Sequence, residues 1–205
     1  MSDLKKAKIK GWGNKFSGKR AQLLANIFNF GYELKEDGFI AYIERNGCKL
    51  STVSDRHSVY YQASKNSNLV DLIISKLTPM EAMSCERLIT SYKQNTVSKY
   101  NSEREFKGTI PGKYILLVDQ VYGDLSVKYG SSGVNSFRNM LDDALNKFPD
   151  HKILIKVHPD VYSRKKRGYF DLKKIIKNPR IQIIAENCHP TRLILNADSV
   201  YTVTS

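Results

Sequence analysis

The sequence predicts an α/β protein of two domains, the second built on a parallel, doubly wound sheet. Three observations carry this reading. Four short apolar runs in the second half, YILLV (114–118), ILIKV (153–157), IQII (181–184) and VYTV (200–203), have the length and composition of strands buried on both faces. Helical patterns lie between them, and strand–helix–strand alternation implies a right-handed parallel sheet. The stretch NTVSKYNSEREFKGTIPGK (95–113) is polar and carries Gly108, Pro111 and Gly112, the composition of a linker. It places the boundary near residue 108, with one domain over 1–108 and the other over 109–205.

In the first half, Ala7–Trp12 alternates like a strand. Ser17 is the expected cap of a helix bearing Leu23, Leu24, Ile27 and Phe28, and Gly31 its expected stop. Tyr32–Leu34 reads as a strand, followed by EDGF (36–39); Asn68–Lys76 and Pro79–Tyr92 read as helices. In the second half, Phe137, Met140, Leu141, Ala144, Leu145 and Phe148 recur at three-to-four spacing, one apolar face of a helix over 135–148. A shorter helix fits Phe170–Lys177 and is stopped by Asn178-Pro179. Another starts at Pro190, a favoured first helical position, and runs to Ala197.

Composition narrows the function classes. No apolar run reaches the roughly 18 residues of a membrane span, and the lysine-rich start lacks the apolar core of a secretory signal. Cys48, Cys85 and Cys188 form neither a CxxC pair nor a metal spacing, which fits reduced thiols in a cytosolic protein. The net charge of +13 suits an anionic partner, and ten Lys/Arg fall between His151 and Arg180, including Arg164-Lys165-Lys166-Arg167. Such a run is either a solvated loop or a site for a phosphate or headgroup. A nucleic-acid binder is motivated by charge alone, since no DNA- or RNA-binding motif and no aromatic interleaving is present.

Ligands of open α/β sheets collect at the carboxyl ends of the strands. Here those ends carry Asp119-Gln120 and Asp124 after the first strand, Lys156 and His158-Pro159-Asp160 at the second, Glu186-Asn187 after the third and Thr204-Ser205 after the fourth. The Gly/Ser loop after Asp124 suits an anion, but it is neither a P-loop nor GxGxxG. Asp119 and Asp124 are each either a turn cap or a nucleophile or base. His158 either binds or protonates a phosphate or is structural, and His189-Pro190 marks a helix start. The four histidines, at 57, 151, 158 and 189, lack zinc spacing, and no DxD occurs, so no metal or other cofactor is expected.

The ordered segments WGNK (12–15), LKEDGF (34–39), YYQASK (60–65), VDQVYGDLSVKYG (118–130), FRNMLDDAL (137–145), ILIKVHPDV (153–161), KKRGYF (165–170), IIAEN (183–187) and VYTVTS (200–205) resemble the capsule polysaccharide biosynthesis family of KpsC/LipA type, bacterial β-Kdo transferases. The resemblance implies two Rossmann-like domains of the GT-B type. It also implies metal-free, retaining transfer of Kdo from CMP-β-Kdo to a lipid-linked acceptor of phosphatidylglycerol type, on the cytoplasmic side and at the periphery of the inner membrane. It implies that Asp124 is the nucleophile, that His158 and Pro159 serve the CMP end, and that Glu36 and Asp37 face the acceptor cleft. Gln120, Lys156, Glu186 and Ser205 fall to the donor site. The family continues beyond VTS, so the second domain is expected to be incomplete, and a non-catalytic remnant or subunit of such a transferase is the alternative expectation.

Overall fold

The computed structural model describes residues 7–43, 47–99, 101 and 103–205. The chain divides into two compact units, Met1–Ser102 and Glu103–Ser205.

The first unit begins with a strand–helix–strand repeat: β1 (Lys8–Trp12), α1 (Phe16–Phe28) and β2 (Gly31–Asp37), with β1 and β2 parallel. A third strand, β3 (Thr52–Asp55), pairs antiparallel with β2, giving the order β1-β2-β3. Glycine makes the βαβ packing possible: a side chain on Gly11 would run into the backbone of Ser17 and Gly18. Ser17 does not cap α1. Its Oγ accepts from Trp12 N at 3.1 Å, fastening the turn, and the helix ends on Asn29, held left-handed at φ 53°. Gly31 instead opens β2, which extends to Asp37 and so takes Glu36 and Asp37 into a strand. Two helices follow, α2 (Asn68–Ile74) and α3 (Pro79–Gln94); Thr78 and Glu81 form a reciprocal capping box at the start of α3.

The second unit holds β4 (Tyr114–Val118), β5 (Lys152–Lys156), β6 (Ile181–Ile184) and β7 (Ser199–Tyr201) in one parallel sheet of order β6-β5-β4-β7. Its helices are α4 (Leu125–Tyr129), α5 (Val134–Lys147), α6 (Pro159–Tyr162), α7 (Leu172–Ile175) and α8 (Thr191–Leu195). The period of two along the strands divides the core. Ile115, Leu117, Ile153 and Ile155 face α5 through Phe137, Met140, Leu141 and Ala144. Tyr114, Leu116, Leu154 and Ile184 face the other way, onto Phe106, Cys188 and Leu193. Both faces are covered, so the strands read as continuous apolar runs.

The stretch expected to be linker supplies part of this unit. Phe106 is buried beneath Leu116, and Glu105 forms a bridge with His189. Arg180 donates to Leu145 O at 3.0 Å, to His151 O at 3.2 Å and to Phe148 O, a cation on the carbonyls at the end of α5.

Candidate functional site

The order β6-β5-β4-β7 reverses direction between β4 and β7, because the chain steps outward from β4 to β5 and β6 and then returns to the other side of β4. A crevice opens outside the carboxyl ends of the strands at such a reversal, where helices leave on opposite faces of the sheet. Gln120 and Thr204 meet there. The Gln120 Nε2 donates to Thr204 Oγ1 at 2.9 Å, and its Oε1 accepts from Thr204 N at 3.0 Å. Ser126 Oγ lies 3.0 Å from Thr204 Oγ1 and closes the cluster.

Asp124 stands at the edge of this cluster, half-buried, as the cap of α4. Its Oδ1 accepts from Ser126 N at 2.9 Å and from Ser126 Oγ at 3.1 Å. The turn before it explains the Gly-Asp pair. Asp124 N donates to Val121 O, and Gly123 takes φ +81° at the third position, the type II pattern that favours glycine. That turn is tied to a second segment: Tyr122 N donates to Arg167 O at 2.8 Å, and Gly123 N to Tyr169 Oη at 3.2 Å.

Asp119 lies deeper, at 2 % exposure. Its Oδ1 accepts from Gln120 N at 2.9 Å and Tyr169 N at 3.1 Å, whereas Oδ2 is buried without a hydrogen-bond partner, facing the space a side chain on Gly168 would fill. Burial dominates over these backbone donors and pushes its carboxyl up to about 6.

At the end of β5, His158 caps α6 by accepting from Asp160 N on Nδ1 at 3.1 Å. That bond places the proton of the neutral ring on Nε2, a donor for a ligand. Burial lowers the His158 pKa; the carboxylates of Asp160 and Asp124 oppose the shift, so Asp124 is within electrostatic reach of the ring. Pro159 is the first residue of α6. Lys156 is buried and donates to Glu186 O at 2.8 Å and Val157 O at 3.2 Å, and burial lowers its pKa. Glu186 thus contributes its carbonyl, while its side chain is exposed. Ser205 is exposed and bonds to Thr202, so the contact with the cluster comes from its neighbour Thr204.

In the first unit, Glu36 Oε1 accepts from Tyr61 Oη at 2.7 Å, and burial followed by this contact raises the Tyr61 pKa. Asn14, from the turn after β1, bonds Gln62 at 3.1 Å, and Asp37 pairs with Lys49 at 2.8 Å, whose ammonium lies over the Trp12 ring. Among the described residues, no three His, Cys, Asp or Glu side chains cluster to hold a metal ion, and no helix is long and apolar enough to cross a membrane.

The sequence marks Asp124, Gln120 and His158 by position at strand ends. It gives no sign of the Ser126–Thr204 contact, 78 residues apart in the chain, nor of the role of Gly168 and Tyr169. Both depend on which strands become neighbours.

The sequence model described as "Capsule polysaccharide biosynthesis protein" matches residues 73–205. Two capsule polysaccharide modification proteins LipA, from Neisseria meningitidis serogroups A and B, are each 31% identical over 208 aligned residues, covering 96% of this chain and 29% of the relative. A solved structure of Thermosulfurimonas dismutans KpsC, a beta Kdo 2,4 transferase, superposes with a TM-score of 0.84 at 31% identity, over 94% of this chain and 62% of that one. The beta Kdo 2,7 transferase structure of the same organism's KpsC matches in fold, with a TM-score of 0.67 at 22% identity. These matches bear out the expected fold of two Rossmann-like α/β domains, and the chain spans under a third of the length of the curated relatives it matches. From residue 73 onward the family's sequence pattern is continuous, and the chain belongs to the capsule polysaccharide biosynthesis protein family.

Proposed function

We propose that this chain carries the donor half of a β-Kdo transfer site in capsule polysaccharide biosynthesis and export, using CMP-β-Kdo and a lipid-linked acceptor of phosphatidylglycerol type. The observation that carries the reading is the placement of Asp124 at the β4/β7 reversal, within electrostatic reach of His158 at the end of β5. The neighbour described as a beta Kdo 2,4 transferase supplies the sugar.

The proposed chemistry is a double displacement. The two hydrogen bonds that Asp124 accepts both fall on Oδ1, so Oδ2 is the oxygen offered to the sugar. It attacks the anomeric carbon; the bond from that carbon to the phosphate oxygen breaks, and CMP leaves with the electron pair. An acceptor hydroxyl then attacks the same carbon from the opposite face, its proton passes to a base, and the ester bond breaks to restore the Asp124 carboxylate. Two inversions give retention. Nε2–H of His158 meets the growing charge on the CMP phosphate. In this reading Gln120 positions the Asp124 loop, Lys156 and Glu186 hold the floor after β5 and β6, and Glu36 and Asp37 serve the acceptor side.

A transfer assay with CMP-β-Kdo and a lipid-linked acceptor, run beside calorimetric titration of CMP, tests it. Asp124→Ala is expected to lose at least about 1000-fold in transfer and to keep CMP affinity within about threefold, as for a group that acts only after binding. His158→Ala is expected to weaken CMP about tenfold, the worth of one charge-assisted hydrogen bond. Transfer that survives in Asp124→Ala removes Asp124 from the nucleophile role. The alternative of a non-catalytic remnant gains no support from the comparisons; a folded chain that binds CMP without any turnover is the result that would favour it.

A further inference from the structure

We infer that Asp119 is a positioning residue for the transfer step: it holds the 167–169 segment, and that segment aims the turn that carries Asp124. The role rests on the reading of Asp124 as the nucleophile. Asp119 itself reaches no ligand, because it is 2 % exposed and its Oδ1 is occupied by the backbone donors of Gln120 and Tyr169. It is therefore neither nucleophile nor base, and the cap of α4 is Asp124. A buried carboxyl with one oxygen unpartnered costs stability. What it holds, not what it stabilises, accounts for its place.

Asp119 is anchored to the sheet. Its N donates to Lys156 O at 3.0 Å, extending the β4–β5 ladder one residue past the end of β4. Its Oδ1 accepts from Tyr169 N at 3.1 Å, 50 residues away in the chain. From there two hydrogen bonds reach the Asp124 turn. Tyr122 N donates to Arg167 O at 2.8 Å, within an antiparallel bridge between Val121 and Gly168, and Gly123 N donates to Tyr169 Oη at 3.2 Å. The Tyr169 ring is fixed as well. It stacks on Phe137, which is buried under α5, with centroids 4.1 Å apart and planes 3° apart.

The turn needs this support. Glycine loses more conformational freedom on ordering than any other residue, and Gly123 is ordered through the N–H that Tyr169 holds. Asp124 is the next residue, so a shift at Gly123 moves the carboxylate, and about 1 Å of misplacement costs on the order of 100-fold in rate. His158 stands on the end of β5 and the start of α6, off this path. Donor binding and nucleophile aim are thus carried by different parts of the site.

Transfer kinetics, CMP titration and hydrogen exchange on the full 205-residue chain test this together. Asp119→Ala is expected to lower kcat at least about 30-fold and to keep CMP affinity within about threefold. Asp119→Asn, whose amide oxygen still accepts from Tyr169 N, is expected to recover kcat to within about threefold of wild type. Tyr169→Phe keeps the stacked ring, removes only the acceptor of Gly123 N, and is expected to lower kcat at least about tenfold. Combined with Asp119→Ala it should cost no more than about threefold beyond the worse single variant, as two links of one path do. Exchange of the Gly123 amide should rise at least about tenfold in Asp119→Ala and in Tyr169→Phe, and stay near wild type in Asp119→Asn. If Asp119→Ala does not fold, Tyr169→Phe and Asp119→Asn carry the comparison. Equal losses of kcat and CMP affinity overturn the inference, as do a failure of Asp119→Asn to recover kcat and a Gly123 amide whose exchange neither disruptive variant changes. A folded wild-type chain without turnover instead removes the transfer reading, and the Gly123 exchange then decides by itself whether Asp119 holds the turn.

Discussion

Asp119 holds two roles in tension. One oxygen accepts backbone donors that anchor the segment at Tyr169, and the other is buried without a hydrogen-bond partner. Its carboxyl is pushed from 3.8 up to about 6. The folded state therefore binds the proton more tightly than the unfolded chain. The stability this contributes is fully present below pH 3.8 and is lost as pH rises through about 6. Asp119→Asn carries no such titration, so the variant should gain about 2–3 kcal/mol relative to wild type between pH 4 and pH 7.5. Urea unfolding at both pH values checks it; a wild-type-to-variant difference that is the same at both shows that Asp119 does not titrate there. His158 works with the opposite sign. Its pKa is lowered, so its contribution is present above the unfolded value of 6.5 and is lost as pH falls through the lower folded one. Protonating Nδ1 would also set it against Asp160 N–H, the donor it now accepts from.

At the scale of elements, the turn Val121–Asp124 is the piece on which the site depends. It aims Asp124 by a hydrogen bond back to Val121 O and by Gly123 at φ +81°. No atom stands within 4 Å of the place a Gly123 side chain would take, so the cost of a substitution there is conformational, not steric crowding. Gly123→Ala is expected to destabilise the protein by about 1 kcal/mol. Under the proposed mechanism it should also lower transfer more than CMP affinity, because Asp124 moves while His158 stays. Thermal unfolding combined with the two assays reads both effects. Equal losses of transfer and CMP affinity would show that the turn serves donor binding and does not aim the nucleophile. Opposite this turn, Gly168 is required for space: a side chain there would meet the buried Asp119 Oδ2. The two glycines are required by different physics, Gly123 by backbone angle and Gly168 by close approach.

At the scale of the molecule, the second unit closes its sheet with residues from a segment that looks like linker. Phe106 is 4 % exposed and packs with Tyr114, Leu116 and Leu193 on the face opposite α5. Phe106→Ala is expected to cost about 3–5 kcal/mol, from lost burial and the cavity left behind. Hydrogen exchange should then show protection falling across β4, β5, β6 and β7. Unchanged protection there would mean that the face collapses to fill the space.

Much of the architecture was legible in the chain. Strands β4 and β5 announce themselves because both of their faces are buried, so Tyr114–Val118 and Ile153–Ile155 run without a polar interruption, and β6 keeps an apolar run around Gln182. Helix α5 shows its apolar stripe for the complementary reason, having one buried face. The positions of Gln120, Asp124 and His158 followed from those strand ends. Strand β3 was not legible, since an antiparallel strand with three exposed positions out of four carries little apolar signal. Helix α4 was hidden as well, because five residues after a Gly-Asp turn are too short to show a period. The sequence by itself determined the strands, the main helix and the polar residues at the strand ends, because local burial patterns write themselves into residue order. Only the tertiary structure decided that β7 returns to lie beside β4, and with it that Thr204 meets Gln120 and Ser126. Strand neighbourhood is set by long-range pairing, and no local pattern encodes it.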